Sequence, residues 1–193
     1  MVRLAKNLCF VTTNLHKFKD VQKYLSILDA EIELEQISID IVEPQSLDIK
    51  EIAIFKAQEA WKYVKKPLII DDGGLFLEKY NKFPGALSKY VFRSIGLDGI
   101  WKLAQDDPRA YFESSIVYID NIVSGFKVFT GITKGKIIEP PTYIKNIEMP
   151  YTEIFVPDGA TEIYYKIKDT DQDYTYNHRY KAIKSLVEYI NNL

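Results

Sequence analysis

Residues 8–13 (Leu-Cys-Phe-Val-Thr-Thr) form an apolar run too short for a helix, which predicts a buried strand. From Lys17 the period changes. Phe18, Val21, Leu25 and Leu28 then share one helical face. Residues 13–16 are therefore a tight strand-to-helix connection. Residues 31–41 alternate apolar and polar with a phase slip near Gln36, which predicts a half-exposed, bulged strand. Residues 48–66 predict a helix with Ile49, Ile52, Ala53, Ala60 and Val64 inward; Pro67 closes it and starts a strand, Leu68–Asp72. A turn at 81–87 precedes two short helices, about 87–94 and 98–105. Strands at 110–120 and 125–133 are joined by a hairpin at 121–124. A proline-rich stretch, 139–159, holds a short strand at 154–156. The end is a helix, 178–193, with Tyr180, Ile183, Leu186, Val187 and Ile190 on one stripe. Strands alternate with helices early and pair as a hairpin later, which predicts an α/β fold with a mixed sheet.

Composition narrows the function. A chain of 193 residues suits one domain, or one domain with a small lobe. The net charge is −2, so no basic field draws nucleic acid or an anionic membrane. Any polyanion must be held by a local cluster of donors. Cys9 is the only cysteine and sits inside a strand pattern, which points to an inert core residue and against disulfide or thiolate-metal chemistry. No segment approaches a membrane span or a signal peptide, so a cytoplasmic protein is expected.

Four stretches carry candidate chemistry. In Ile69-Ile70-Asp71-Asp72-Gly73-Gly74-Leu75 the paired acids fall where the strand is expected to end. Alternating side chains keep both acids from one site, but one can face a ligand crevice and hold Mg²⁺ or position a water. Equally, the pair can be a turn whose aspartate caps the next element. Thr12, Thr13, Asn14 and Lys17 sit where a strand feeds a helix N-terminus, a phosphate pocket by composition; as a plain alternative, Asn14 is an N-cap and Lys17 a solvated lysine. Glu51 fits a capping box with Asp48 or serves as a metal carboxylate. Lys56, about 140° further round that helix, could flank the same cleft as a phosphate donor. His178 and Arg179 place cations in a helix's first turn, which either tolerates the small penalty or receives an anion.

In this order the stretches resemble the inosine triphosphate pyrophosphatase family. Its Thr-Gly-Asn-x-x-Lys loop appears as Thr12-Thr13-Asn14-Leu15-His16-Lys17, and its Glu-Asn-Ala-x-x-Lys-Ala as Glu51-Ile52-Ala53-Ile54-Phe55-Lys56-Ala57. Its Asp-Asp-Ser-Gly-Leu appears as Asp71-Asp72-Gly73-Gly74-Leu75, followed by Pro84-Gly85, and its Ser-His-Arg as Asn177-His178-Arg179. The resemblance implies an elongated mixed sheet flanked by helices, with two lobes around a central nucleotide-binding cleft and the second lobe inserted over roughly 76–135. It implies a homodimer that hydrolyses deaminated purine triphosphates (ITP, dITP, XTP) to monophosphate and pyrophosphate, cleansing the nucleotide pool. Asp72 and Glu51 would be the catalytic and Mg²⁺-binding carboxylates, and Asp71 would support the strand end. Thr12, Thr13, Asn14, Lys17 and Lys56, with Gly73 at the signature, would hold the triphosphate. Tyr151, His178 and Arg179 would sit towards the nucleotide's base.

The base end departs from the family. Its Phe-Gly-Tyr/Trp-Asp-Pro segment appears as Met149-Pro150-Tyr151-Thr152-Glu153, keeping only the aromatic, and a family lysine is Asp173. These changes predict relaxed or altered base specificity. Two other readings stay open: the same chemistry on a pyrimidine or common nucleotide, and a catalytically weak nucleotide-binding protein.

Overall fold

The computed structural model describes residues 6–121, 125–143 and 149–192. Strand β1 (Lys6–Val11) pairs in parallel with β2 (Ile32–Ile37) on one side and β3 (Leu68–Leu77) on the other. The crossovers are α1 (Leu15–Ile27) and α2 (Ile49–Val64). The sheet continues through β4 (Arg109–Ile119), β5 (Lys127–Ile137) and β6 (Phe155–Pro157) in the order β2-β1-β3-β4-β5-β6. β6 runs antiparallel to β5, so the sheet is mixed. Helix α3 (Ser88–Ala104) follows β3; α4 (Tyr164–Ile167), α5 (Asp173–Tyr176) and α6 (His178–Asn191) follow β6.

The chain divides into two units, Met1–Asp72 with Ser114–Thr130 and Arg179–Leu193, and Gly73–Glu113 with Gly131–His178. The first has a core of Cys9, Val11, Ala53, Ala57, Ala60, Leu68, Ile70, Val117 and Ile119. Small alanines on α2 let that helix lie close to the strands, while each buried leucine or isoleucine contributes about 1.5–3 kcal/mol. Cys9 lies 3.7 Å from Glu35, and burial pushes its thiol above the ordinary value, as suits a core residue. The second unit packs Leu75, Leu77, Leu97, Ile100, Phe112, Ile154, Phe155 and Tyr164 together.

Several boundaries differ from those expected. β2 stops at Ile37 rather than Ile41, where its partner β1 also ends, at Val11 opposite Ile37. β3 does not end at Asp72: it runs ten residues, through both acids and both glycines, since Leu75 and Leu77 feed the second unit's core. The two helices expected after residue 87 are present as the two parts of α3, separated at Gly96, whose φ of 63° and ψ of −170° interrupt the helical backbone. The hairpin expected at 121–124 falls largely outside the described residues.

Gly74 accordingly serves close approach rather than a turn. A Cβ there would stand 2.2 Å from the Gly85 carbonyl oxygen, and neither backbone can yield cheaply. Gly74→Ala is expected to cost about 3 kcal/mol, the upper part of the overpacking range, read as a lowered urea midpoint at unchanged slope.

Candidate active site

The two aspartates on β3 face opposite ways, as alternation along a strand requires. Asp71 turns into a buried ionic cluster within the first unit. Its Oδ2 accepts from Arg179 Nε at 2.9 Å and lies 3.2 Å from Lys17 Nζ; its Oδ1 accepts from the Ser114 hydroxyl on β4. Lys17 also donates to the Asp71 carbonyl at 2.9 Å, and Arg179 reaches Asp20 of α1 at 3.2 Å. Asp71's side chain has no exposed surface. Burial alone would raise its pKa, but Arg179, Lys17 and the Ser114 hydroxyl outweigh it and hold the carboxyl well below the usual range.

Asp72 turns towards α2. Its Oδ2 lies 3.0 Å from Lys56 Nζ, which also donates to Glu43 Oε1 at 2.7 Å. Its side chain keeps 17 % exposure. Here burial prevails over the attraction of Lys17 and Lys56, and the pKa rises. Lys56 is itself held charged: burial works against its ammonium, but Asp72 and Glu43 more than compensate.

Glu51 stands exposed in the first turn of α2, and its carboxylate accepts from Ser46 Oγ at 2.7 Å. The Ser46 hydroxyl in turn accepts from the Asp48 amide, while Asp48 caps Lys50 N. The expected capping box is thus relayed through Ser46. At the β1–α1 connection, Asn14 is the N-cap of α1, with Oδ1 accepting from the His16 and Lys17 amides. Thr12 accepts from the Asn14 amide, and Thr13 and Asn14 are exposed. The structure therefore brings Lys17, Asp71 and Arg179 together in one group, and Lys56 and Asp72 in another.

In the second unit, Gly73 opens the segment that passes Gly74 into the core. Tyr151 is 6 % exposed; its hydroxyl donates to the Ser88 carbonyl at 2.7 Å and its ring meets Phe92 edge-on. Thr152 is buried and donates to the Met149 carbonyl. His178 stacks on Phe112, with centroids 5.1 Å apart and planes at 12°.

Sequence reasoning passed over Glu43, Ser46, Asp20 and Ser114. Asp20 carried a usable signal, an acid on the inward face of α1 three residues after Lys17. Glu43 gave none, being one polar residue in a loop. Asp72 and Glu43 both lie within 3.0 Å of one lysine nitrogen, so two carboxylates converge there. Among the described residues no group of three or more His, Cys, Asp or Glu could hold a metal ion. Two carboxylates suffice for Mg²⁺ when substrate phosphates and water complete its shell.

The sequence model of the Ham1 family matches residues 8–189. The chain belongs to the Ham1 family. It is 31 % identical over 188 residues to the dITP/XTP pyrophosphatase of Hyperthermus butylicus, covering 96 % of this chain and 95 % of that one. It is 33 % identical over 183 residues to the dITP/XTP pyrophosphatase of Korarchaeum cryptofilum, covering 94 % of each. The solved Ham1 protein of Coxiella burnetii superposes with a TM-score of 0.80 at 20 % identity, covering 97 % of this chain and all of that one. The Ham1 fold, a mixed six-stranded sheet flanked by helices, is the one described above.

Proposed function

We propose that this Ham1 chain is a nucleoside triphosphate pyrophosphatase that cleaves deaminated purine nucleotides such as dITP and XTP to monophosphate and pyrophosphate. The observation that carries this reading is the opposite treatment of two adjacent aspartates. Asp71 is buried against Arg179, Lys17 and Ser114, which hold its pKa well below the usual range, whereas Asp72 keeps partial exposure beside Lys56 and burial raises its pKa. The relatives named dITP/XTP pyrophosphatase supply the substrate class.

In this reading Lys17, Lys56 and the α1 N-terminus receive the phosphates. A helix N-terminus favours anions, and Lys17 already stands at the strand that carries Asp72. Asp72 orients the attacking water and takes its proton as the oxygen bonds to the α-phosphorus. The bond from that phosphorus to the bridging oxygen breaks, and pyrophosphate leaves with the electron pair. Raising a carboxylate's pKa towards neutrality makes it a better base for this task. Mg²⁺ is part of the proposal: Asp72 with Glu43 or Glu51 would hold it, and it would neutralise charge on the phosphates. Arg179, committed to Asp71 and Asp20, is assigned to fixing this arrangement. Action in the cytoplasm as a homodimer belongs to the same proposal.

A second reading keeps the chemistry and changes the base. It is favoured by Thr152, which is spent on the Met149 carbonyl, and by Asp173, which is buried rather than cationic. Hydrolysis in oxygen-18 water tests the bond cleaved. With dITP or XTP, the label is expected in the monophosphate, and chelation of divalent ions should stop turnover. Label in inorganic phosphate, with a diphosphate product, would overturn the proposal.

A further inference from the structure

We infer that Ser115 is a positioning residue for Asp72, its hydroxyl donating to the Asp72 carboxylate when substrate phosphate engages Lys56. The inference rests on the pyrophosphatase reading, which gives Lys56 to the phosphates and the working role to Asp72. Both residues belong to the first unit. β4 carries two adjacent serines beside the two adjacent acids of β3, and the two strands are neighbours in the sheet. One serine is already paired with one acid: the Ser114 hydroxyl donates to Asp71 Oδ1. Side chains alternate along each strand, so one residue on from that bonded pair both strands present their other face. Ser115 therefore shares a face with Asp72. Packing agrees. Ile70, two residues before Asp72, and Val117, two residues after Ser115, belong to one core with Ala53 and Ala57 of α2. Asp72 meets the same helix at Lys56.

The Ser115 hydroxyl is fully buried and has no hydrogen-bond partner among the described residues. Burying a hydroxyl in that state is costly, and an apolar side chain would avoid the cost. Asp72 is its complement. Its Oδ2 has the Lys56 ammonium 3.0 Å away but no well-directed hydrogen bond among the described residues. Lys56 also bonds Glu43 at 2.7 Å, and phosphate competes for the same three ammonium protons. Phosphate binding thus loosens Asp72 from Lys56 just when the carboxylate must hold a water in line. A second donor on that face fixes one carboxylate oxygen and leaves the other for the water. Ser114 serves Asp71 in the same way on the opposite face.

The test is steady-state hydrolysis of dITP by wild type, Ser115→Ala, Asp72→Asn and the double variant, with melting curves of each free protein. Ser115→Ala should lower kcat about tenfold, one hydrogen bond to an ionised group, with KM within about twofold. Its melting temperature should not fall, because alanine removes a hydroxyl that has no partner among the described residues. In the Asp72→Asn background Ser115→Ala should change kcat by less than about twofold, since a residue that acts through Asp72 has nothing left to act on. Ser115→Cys fills similar space with a weak donor, so its kcat should fall close to that of Ser115→Ala. A cysteine variant as fast as the wild type would overturn the inference. So would an equal loss from Ser115→Ala in both backgrounds, or a melting temperature lowered by more than about 4 °C, the mark of a hydroxyl that serves the fold. A wild type that turns over no nucleotide would sink the pyrophosphatase reading and this inference with it. An active wild type matched in kcat by Ser115→Ala would sink the inference alone.

Discussion

Asp71→Ala should lower the unfolding free energy by about 3–5 kcal/mol, the cost of leaving buried charge without its partner. The guanidinium of Arg179, 7 % exposed, loses its Asp71 partner in this variant and keeps Asp20, and the Ser114 hydroxyl loses its acceptor. Lys17 is 23 % exposed, so solvent screens part of its loss and the buried Arg179 carries most of the effect. The sign of the pH dependence follows from the depressed pKa. A carboxylate whose folded pKa lies below its unfolded value stabilises the protein at every pH above the unfolded range, and loses that contribution as pH falls towards the folded value. Wild type and Asp71→Ala should therefore differ most above the ordinary carboxylate range and converge in acid. Urea melts at neutral pH and under acid conditions give the comparison. A neutral-pH difference below about 1 kcal/mol would show that the cluster is not holding β3 to α1 and α6.

Its neighbour should behave in reverse. Asp72→Asn is expected to reduce turnover by about 10²–10⁴, the usual contribution of a positioned acid–base group. The same substitution should leave thermal stability unchanged or raise it. Asp72 has its pKa raised by burial, so it favours the fold fully below its unfolded pKa and works against the fold as pH rises through the folded value. At neutral pH the asparagine removes a charge that the fold disfavours, and Lys56 retains Glu43. Such a trade, activity against stability, is characteristic of residues held in place for chemistry. A melting temperature that falls as far as in Asp71→Ala would make Asp72 a second structural acid.

The apolar run of β1, the period of α1 and the inward face of α2 were readable because burial sets the pattern along each element. The run of β3 past Asp72 was not, since Gly73 and Gly74 read as a turn until the Gly85 carbonyl is known to approach Gly74. The opposite orientation of the two aspartates followed from strand alternation alone. Which of them is held below the ordinary carboxylate range did not, because that depends on Arg179, 108 residues further along the chain. Arg179, which the resemblance implies near the nucleotide, has its guanidinium bonded to Asp71 and Asp20. Tyr151 was expected to offer its ring to a base and is found packed on Phe92 with its hydroxyl on Ser88. Local spacing shows which residues can carry charge or an aromatic face; long-range partners decide whether that capacity is already spent.

The proposed activity is hydrolysis of a deaminated purine triphosphate with Asp72 as the working carboxylate. The most direct test is pyrophosphate release from dITP, XTP and the common nucleotides by wild type and Asp72→Asn, with Mg²⁺ present and melting curves taken in parallel. Turnover of dITP or XTP by the wild type, lost in a variant that melts no lower, is the expected result. No pyrophosphate from any nucleotide, or equal turnover by the two proteins, would contradict it.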